Sequence, residues 1–110
     1  MVTITADRWI TKGDGRPAFD AQIRAESIAA LQCVAYVAII DHATAFPAIE
    51  AIQPRIFVKG EEDQGKGGIT AQERELVSFY GGEVHYLPDD GKVYSSTDIL
   101  TGEYLKRRAA

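Results

Sequence analysis

VAYVAII, at residues 34–40, is a continuous apolar run rich in β-branched side chains. Such a run predicts a strand of a parallel sheet that is covered on both of its faces. A helix is predicted directly before it, over residues 20–32, because apolar side chains recur there at helical spacing and Asp20 suits an N-cap. A helix that leads into a buried strand is the first indication of an α/β chain.

The same alternation continues on both sides of this run. The remaining predicted elements are a strand at 2–5, a loop at 6–17, a helix at 45–52, a strand at 55–58, a loop at 60–68, a helix at 70–80, a strand at 83–87 and a helix from Ser95 or Ser96 to Lys106. No tandem hairpin interrupts them, so right-handed crossovers and a mostly parallel sheet are expected. The fold class is α/β, in a single domain over residues 1–110.

The composition limits the classes of function. At 110 residues and 45% hydrophobic content, the chain suffices for one small core. A formal net charge of −4 provides no broad basic surface, so a general nucleic-acid binder is not expected. No apolar stretch approaches the roughly 20 residues that span a bilayer, so no membrane contact is predicted. The single Cys33 cannot form an internal disulfide, which favours a cytoplasmic location.

Cations and hydroxyl groups follow three of the predicted strands, at the edge where ligands of parallel sheets gather. The residues are Lys12 and Arg16 after the first strand, Lys59 and Gly60 after the third, and Ser95, Ser96 and Thr97 after the fourth. Taken alone, each group is better explained as surface charge or ordinary helix capping. Together they predict a site for phosphate groups.

The order of short motifs along the chain is also distinctive. It runs K-G-x-G-R-P at 12–17, A-L-x-C-V-x-Y-V at 30–37, V-K-G at 58–60, G-G-E-V at 81–84 and Y-S-S-T-D-I at 94–99. This order resembles the adenylyltransferase domain of heptose-phosphate enzymes and the related cytidylyltransferases, over nearly the whole chain. The resemblance implies a Rossmann-like parallel sheet. It also implies transfer of AMP or CMP from ATP or CTP to a sugar- or polyol-phosphate, with release of pyrophosphate.

Individual roles follow from the resemblance, residue by residue. It implies that Lys12 is catalytic and contacts the transferring phosphates. The positions that it implies for nucleotide and phosphate binding are Arg16, Arg24, Lys59, Gly60, Ser95, Ser96 and Thr97. Mg²⁺ is the expected cofactor, brought with the nucleoside triphosphate, and no side chain is assigned as a direct metal ligand.

One motif of the resembled family is absent from the 110 residues. The family carries H-x-G-H after its first strand, and no such spacing occurs here. The chain therefore corresponds to the carboxyl-terminal two-thirds of such a domain, in a sheet that lacks its first, central strand between residues 2–5 and 55–58. Unpaired buried strand edges cost roughly 1–3 kcal/mol per group, so a second copy or a complementing segment is expected to supply the strand.

The sequence leaves two classes of function open. The first is a nucleotidyltransferase module of a longer protein, with these 110 residues inactive by themselves. The alternative is a non-catalytic nucleotide-binding or assembly module derived from the same fold. A dehydrogenase-type domain is disfavoured because no G-x-G-x-x-G follows any predicted strand. The sequence does not separate ATP from CTP, nor does it identify the acceptor phosphate.

Overall fold

Helices and strands alternate along the chain in a computed structural model that describes residues 1–60, 69–88 and 96–102. The elements are β1 (Val2–Thr5), a 3-10 helix (Asp7–Trp9), α1 (Ala21–Ala29), β2 (Val37–Ile40), α2 (Phe46–Ile52), β3 (Ile56–Gly60), α3 (Ala71–Phe79), β4 (Glu83–Leu87) and α4 (Ser96–Thr101). The predicted α/β class is confirmed. None of the helices in these ranges is long and apolar enough to cross a membrane.

The four strands form two separate parallel pairs. β1 pairs with β2 in a register that runs from Val2 opposite Val37 to Thr5 opposite Ile40. β3 pairs with β4 in the same sense along all five residues of each strand. In the described part of the chain, no ladder joins one pair to the other. The predicted parallel pairing is therefore confirmed, although it is divided between two sheets.

Three predicted elements differ from those observed by three residues or more at one end. β2 begins at Val37 instead of residue 34, because the Val34 N–H donates to the Leu31 carbonyl at 3.0 Å and closes a turn. β2 is also not covered on both faces, since Ile39 is 42% exposed. The first helix ends at Ala29. The last helix ends at Thr101, where Gly102 takes a φ of +78°. Lys106, at which this helix was predicted to end, lies outside the described residues.

The buried core lies where α2 meets α3. Its apolar members in the described ranges are Ala48 and Ile49 of α2, Ile69, and Val77 of α3. Pro47 stands in the first turn of α2, where a missing N–H costs no helical bond. Gln53 ends that helix in the left-handed region, at φ 50° and ψ 60°. The chain then enters β3.

Glu73 is a buried acidic side chain that joins the starts of two helices. It is 2% exposed, and it stands at the third position of α3. Its Oε2 accepts from the Thr70 N–H at 2.8 Å while the Thr70 hydroxyl accepts from the Glu73 N–H, and the two bonds form a capping box at the start of the helix. Its Oε1 accepts from the Ala45 N–H at 2.9 Å, just before α2. One carboxylate therefore fixes α2 against α3.

Replacing this carboxylate by an amide should destabilise the fold. Glu73→Gln keeps one acceptor oxygen, but it turns an NH₂ group toward a buried backbone N–H. We expect a loss of about 1–3 kcal/mol in the free energy of unfolding, measured by urea denaturation. Glu75→Gln on the same helix is the matched control, because Glu75 is exposed. Equal unfolding midpoints for the two variants would contradict this role for Glu73.

Candidate functional site

A cleft of about 760 Å³ opens at the carboxyl end of β1. The loop between β1 and α1 forms one wall, and α4 contributes to the other. The polar and aromatic side chains that line it are Thr5, Trp9, Thr11, Lys12, Arg16, Phe19, Arg24 and Ser96. Four residues singled out from the sequence, namely Lys12, Arg16, Arg24 and Ser96, thus line one cavity although they are distant along the chain. We call this cavity the cationic cleft.

A clamp at the ends of β1 and β2 fixes the first part of the loop. The Arg8 guanidinium donates two parallel hydrogen bonds to the Asp41 carboxylate, from Nε and Nη2, each 2.5 Å long. The Trp9 indole N–H donates to Asp41 Oδ1 at 2.9 Å. The Ala6 N–H extends the ladder by donating to the Ile40 carbonyl at 3.0 Å. These bonds to Ile40 and Asp41, at the end of β2, therefore fix the direction in which the loop leaves β1.

The clamp also changes the acidity of its carboxylate. The hydrogen bond from Arg8 lowers the pKa of Asp41, and the bond from Trp9 lowers it further. Both donors favour the ionised form of the carboxyl group. Asp41 consequently keeps its charge at pH values where an ordinary aspartate begins to take up a proton.

Arg24 joins α1 to the end of β1. Its Nε donates to the Phe19 carbonyl at 2.9 Å, and its Nη2 donates to the Thr5 carbonyl at 3.0 Å. Nη2 also contacts Asp7 Oδ1 at 2.5 Å, in an ion pair whose arginine side chain is only 24% exposed. Much of the guanidinium is thus bonded within the protein. The geometry gives Arg24 a positioning role at the wall of the cationic cleft.

Arg16 connects the same loop to α4. Its Nη1 donates to the Thr97 hydroxyl at 3.3 Å. Gly13 and Gly15, at φ values of +116° and +72°, let the chain turn between Lys12 and Arg16. α4 has only six residues, so its hydroxyl groups, rather than a long helix dipole, are what it brings to the cleft. Ser95, predicted to act beside Ser96 and Thr97, lies outside the described residues.

Lys12 and Arg16 are cations of the cleft that face no acidic side chain within residues 1–60, 69–88 and 96–102. Lys12 is exposed, whereas Arg16 is half-buried and donates to the Thr97 hydroxyl. Arg8 and Arg24, by contrast, each face an aspartate. A free ammonium beside hydroxyl groups is suited to binding an anion such as a phosphate.

Lys59 and Gly60 lie apart from the cationic cleft. They end β3 and line a second cavity, of about 510 Å³, between β1 and β3. Thr5 lines both cavities, so the two adjoin at the end of β1. Lys59 and Gly60 therefore line a cavity that adjoins the one lined by Lys12 and Ser96. The described residues contain no group of three histidine, cysteine or acidic side chains arranged to hold a metal ion.

Sequence reasoning missed Asp41, although a signal for it exists. Asp41 directly follows β2, and the rule that places ligand-binding residues at the carboxyl ends of parallel strands applies to it as well. It contacts Arg8 and Trp9, which come from the loop after the neighbouring strand. The bond from Trp9 to Asp41 anchors that loop to the neighbouring strand.

The fold and the cleft define a class of protein. It is an α/β protein whose parallel strands end at a cleft lined by cations and hydroxyl groups. No protein-family model matches the chain.

The chain is, however, similar to one segment of several bacterial proteins named bifunctional protein HldE. It is 40% identical to the HldE of Pelobacter propionicus over 90 residues, which are 81% of this chain and 17% of that protein. It is 39% identical to the HldE of Nitrobacter hamburgensis over 102 residues, which are 91% of this chain and 20% of that protein. For the HldE of Geobacter sulfurreducens the identity is 38% over 90 residues, 81% of this chain and 17% of that protein. The chain thus spans a fifth or less of the length of these relatives.

Trp9 is the single tryptophan, so its fluorescence reports on the clamp. At pH values above the lowered pKa of Asp41, the ionised carboxylate accepts the hydrogen bond from the Trp9 indole. This hydrogen bond is lost as the pH falls through that pKa. We expect the acid transition of Trp9 fluorescence to have its midpoint below 3.8, the ordinary value for aspartate. Far-ultraviolet circular dichroism, recorded in parallel, checks that the fold persists.

Two variants separate Asp41 from other sources of this signal. His42→Gln removes the imidazole ring whose centroid is 6.1 Å from that of Trp9, and it should leave the transition in place. Asp41→Asn should abolish the transition. An unchanged acid transition in Asp41→Asn would show that another group causes it.

Proposed function

We propose that the chain is a nucleotidyltransferase module of a longer protein. In this proposal it transfers AMP or CMP from ATP or CTP to a sugar- or polyol-phosphate and releases pyrophosphate. The single observation that carries the proposal is the convergence of Lys12, Arg16 and Ser96 on one cleft beside a parallel strand pair. A triphosphate needs such a set of cations and hydroxyl donors in one place.

Two further lines of evidence support the same class. The order of motifs resembles the adenylyltransferase domain of heptose-phosphate enzymes along nearly the whole chain. In agreement with these motifs, the chain shares about 40% identity with a segment of the bifunctional proteins HldE. The parallel strand pairs are compatible with a Rossmann-like fold, which the proposal includes. The chain matches a fifth or less of the length of those proteins. The activities of the complete HldE proteins are therefore only proposed for this chain.

The proposed chemistry is a direct displacement at phosphorus. An oxygen of the acceptor phosphate attacks the α-phosphorus of the nucleotide, and the bond to the pyrophosphate oxygen breaks. No covalent intermediate with the protein forms, so the side chains act by positioning and by stabilising charge. Lys12 would face the phosphates as charge accumulates on them, while Ser96 donates a hydrogen bond and Arg16 holds the loop against Thr97.

Mg²⁺ would neutralise part of the triphosphate charge. Mg²⁺ in nucleotide sites is commonly held by substrate phosphates together with one or two carboxylates and water. The described residues form no three-membered cluster of possible metal ligands. The phosphate oxygens would therefore hold most of the ion, and no protein side chain is assigned to it.

Nucleotide binding by these 110 residues tests the proposed site. Calorimetric titration with ATP and with CTP, each with Mg²⁺, should show binding by one or both. Lys12→Ala should weaken it about tenfold or more, since a hydrogen bond to a charged group contributes about 1.5–3 kcal/mol. Ser96→Ala should weaken it by a smaller factor. Arg55→Ala is the matched control, because Arg55 is an exposed cation outside both cavities.

Equal binding by the wild type and by the two cleft variants would overturn the site assignment. Turnover is not expected of these residues alone, because the H-x-G-H motif of the resembled family is not among them. It is measured instead as pyrophosphate release by a longer protein that carries this chain. Binding without pyrophosphate release in that protein would favour the non-catalytic alternative.

A further inference from the structure

Trp9 presents part of its indole ring to the cationic cleft. The residue lines the cleft, and it is 41% exposed although its indole N–H is bonded within the protein. Anchoring the loop requires only this N–H, and it leaves the open surface of the ring without a role. The phosphate contacts of the proposed function do not use that surface either.

Three contacts hold the ring in one orientation. At one edge, the indole N–H donates to Asp41 Oδ1 at 2.9 Å. The guanidinium carbon of Arg8 lies over the ring, 5.4 Å from its centroid, and the His42 ring centroid lies 6.1 Å away. Neither Arg8 nor His42 lines the cleft. The ring surface that they leave uncovered is thus the one that the cleft receives, and it is oriented before any ligand binds.

The charge distribution of the indole ring limits what packs against it. The face of the ring is electron-rich, and the position of the Arg8 guanidinium agrees with this preference. Suitable ligand groups are therefore a flat nucleobase or the C–H face of a sugar ring, whose hydrogens carry a small positive charge. Phosphate oxygens are not attracted to such a surface.

Polar groups around Trp9 favour the sugar over the nucleobase. A sugar ring has C–H groups on its face and hydroxyl groups along its whole edge, so it fits an apolar surface that hydrogen-bonding groups border. The side chains of Thr5 and Thr11 line the same cleft. A carboxylate offers about four acceptor positions, and Arg8 and Trp9 occupy three of those of Asp41. One position is left for a hydroxyl group at the edge of the indole.

Lys12 follows Trp9 by three residues on the same loop. Their Cα atoms are therefore at most about 11 Å apart, and both side chains line one cleft. A single small ligand can place a sugar ring on Trp9 and its phosphate beside Lys12. In the proposed reaction, the acceptor phosphate attacks next to Lys12, so the acceptor is the ligand whose sugar lies on this side.

We propose that the open face of Trp9 binds the sugar of the acceptor, and that this contact makes the site discriminate ring sugars from open-chain polyols. The inference rests on the proposed function, which defines the acceptor. It assigns to Trp9 a specificity role that neither the phosphate contacts nor the clamp with Asp41 provides.

Trp9 is the single tryptophan, so its emission reports ligand binding directly. The 110-residue chain is titrated with glucose 1-phosphate, mannose 1-phosphate, glycerol 3-phosphate and inorganic phosphate, each with and without ATP and Mg²⁺. We expect a ring sugar phosphate to shift the emission to shorter wavelength, because the sugar removes water from the indole. It should bind about tenfold more tightly than glycerol 3-phosphate. Inorganic phosphate should bind without the shift.

Two variants of Trp9 separate its ring from its N–H, with binding measured by calorimetry. Trp9→Phe keeps an aromatic face and loses the bond to Asp41, and it should retain most of the preference for the ring sugar. Trp9→Ala removes the face, and it should abolish the preference while inorganic phosphate binds nearly as before. Tyr36→Ala is the matched control, because Tyr36 is an exposed aromatic residue outside the cleft.

Steady-state kinetics give a second readout, in a longer protein that carries this chain and releases pyrophosphate. Trp9→Ala should raise the KM for the sugar phosphate about tenfold and leave the KM for the nucleotide unchanged. A general disturbance of the cleft would raise both values. Trp9→Phe should lie close to the wild type.

Several outcomes would overturn the inference. One is loss of the preference in Trp9→Phe as well, since the bond to Asp41 would then be its cause. Another is that no ring sugar phosphate shifts the Trp9 emission. A third is that Trp9→Ala weakens the binding of ATP but not of tripolyphosphate, as stacking of the base requires. Nucleotide binding is scored separately through Lys12→Ala. A chain that binds nucleotide but no ring sugar refutes this inference alone, and one that binds neither also refutes the proposed function.

Discussion

The register between β1 and β2 determines where nearly every group of the cationic cleft lies. Thr5 pairs with Ile40, so both strands end at the same level and the residues that follow them meet. Arg8 can therefore reach Asp41 with two parallel bonds, although 32 residues separate them in the chain. A shift of one residue would turn every side chain of the strand to the opposite face and would remove this contact.

The clamp formed by Arg8, Trp9 and Asp41 orients the loop more than it stabilises the fold. The side chains of Arg8 and Asp41 are 67% and 60% exposed, and exposed ion pairs contribute little to stability. Two parallel hydrogen bonds and an indole bond nevertheless specify one geometry. The buried Glu73 carboxylate contributes differently, because it ties α2 to α3 by backbone bonds that water cannot replace. The cleft thus depends on oriented surface contacts, and the core depends on buried ones.

Local sequence patterns predicted the helices and strands well. They did not predict the contacts between elements that are distant in the sequence. The bounds of β1 and the capping box of Thr70 and Glu73 follow from neighbouring residues, and the structure has both. The second bond of Glu73, to the Ala45 N–H, joins residues 28 apart and has no local signature. Lys59 was grouped with Lys12 because both follow strands. In the structure they line two adjoining cavities, and this division depends on how the two strand pairs are placed.

Arg24 ties the end of β1 to the wall of the cationic cleft. Its Nη2 donates to the Thr5 carbonyl at 3.0 Å, and its Nε donates to the Phe19 carbonyl at 2.9 Å. Because Thr5 and Phe19 also line the cleft, one guanidinium fixes two points of the cleft wall. Arg24 is thereby bonded largely within the protein, so Lys12 and Arg16 are the cleft cations placed to face an anion.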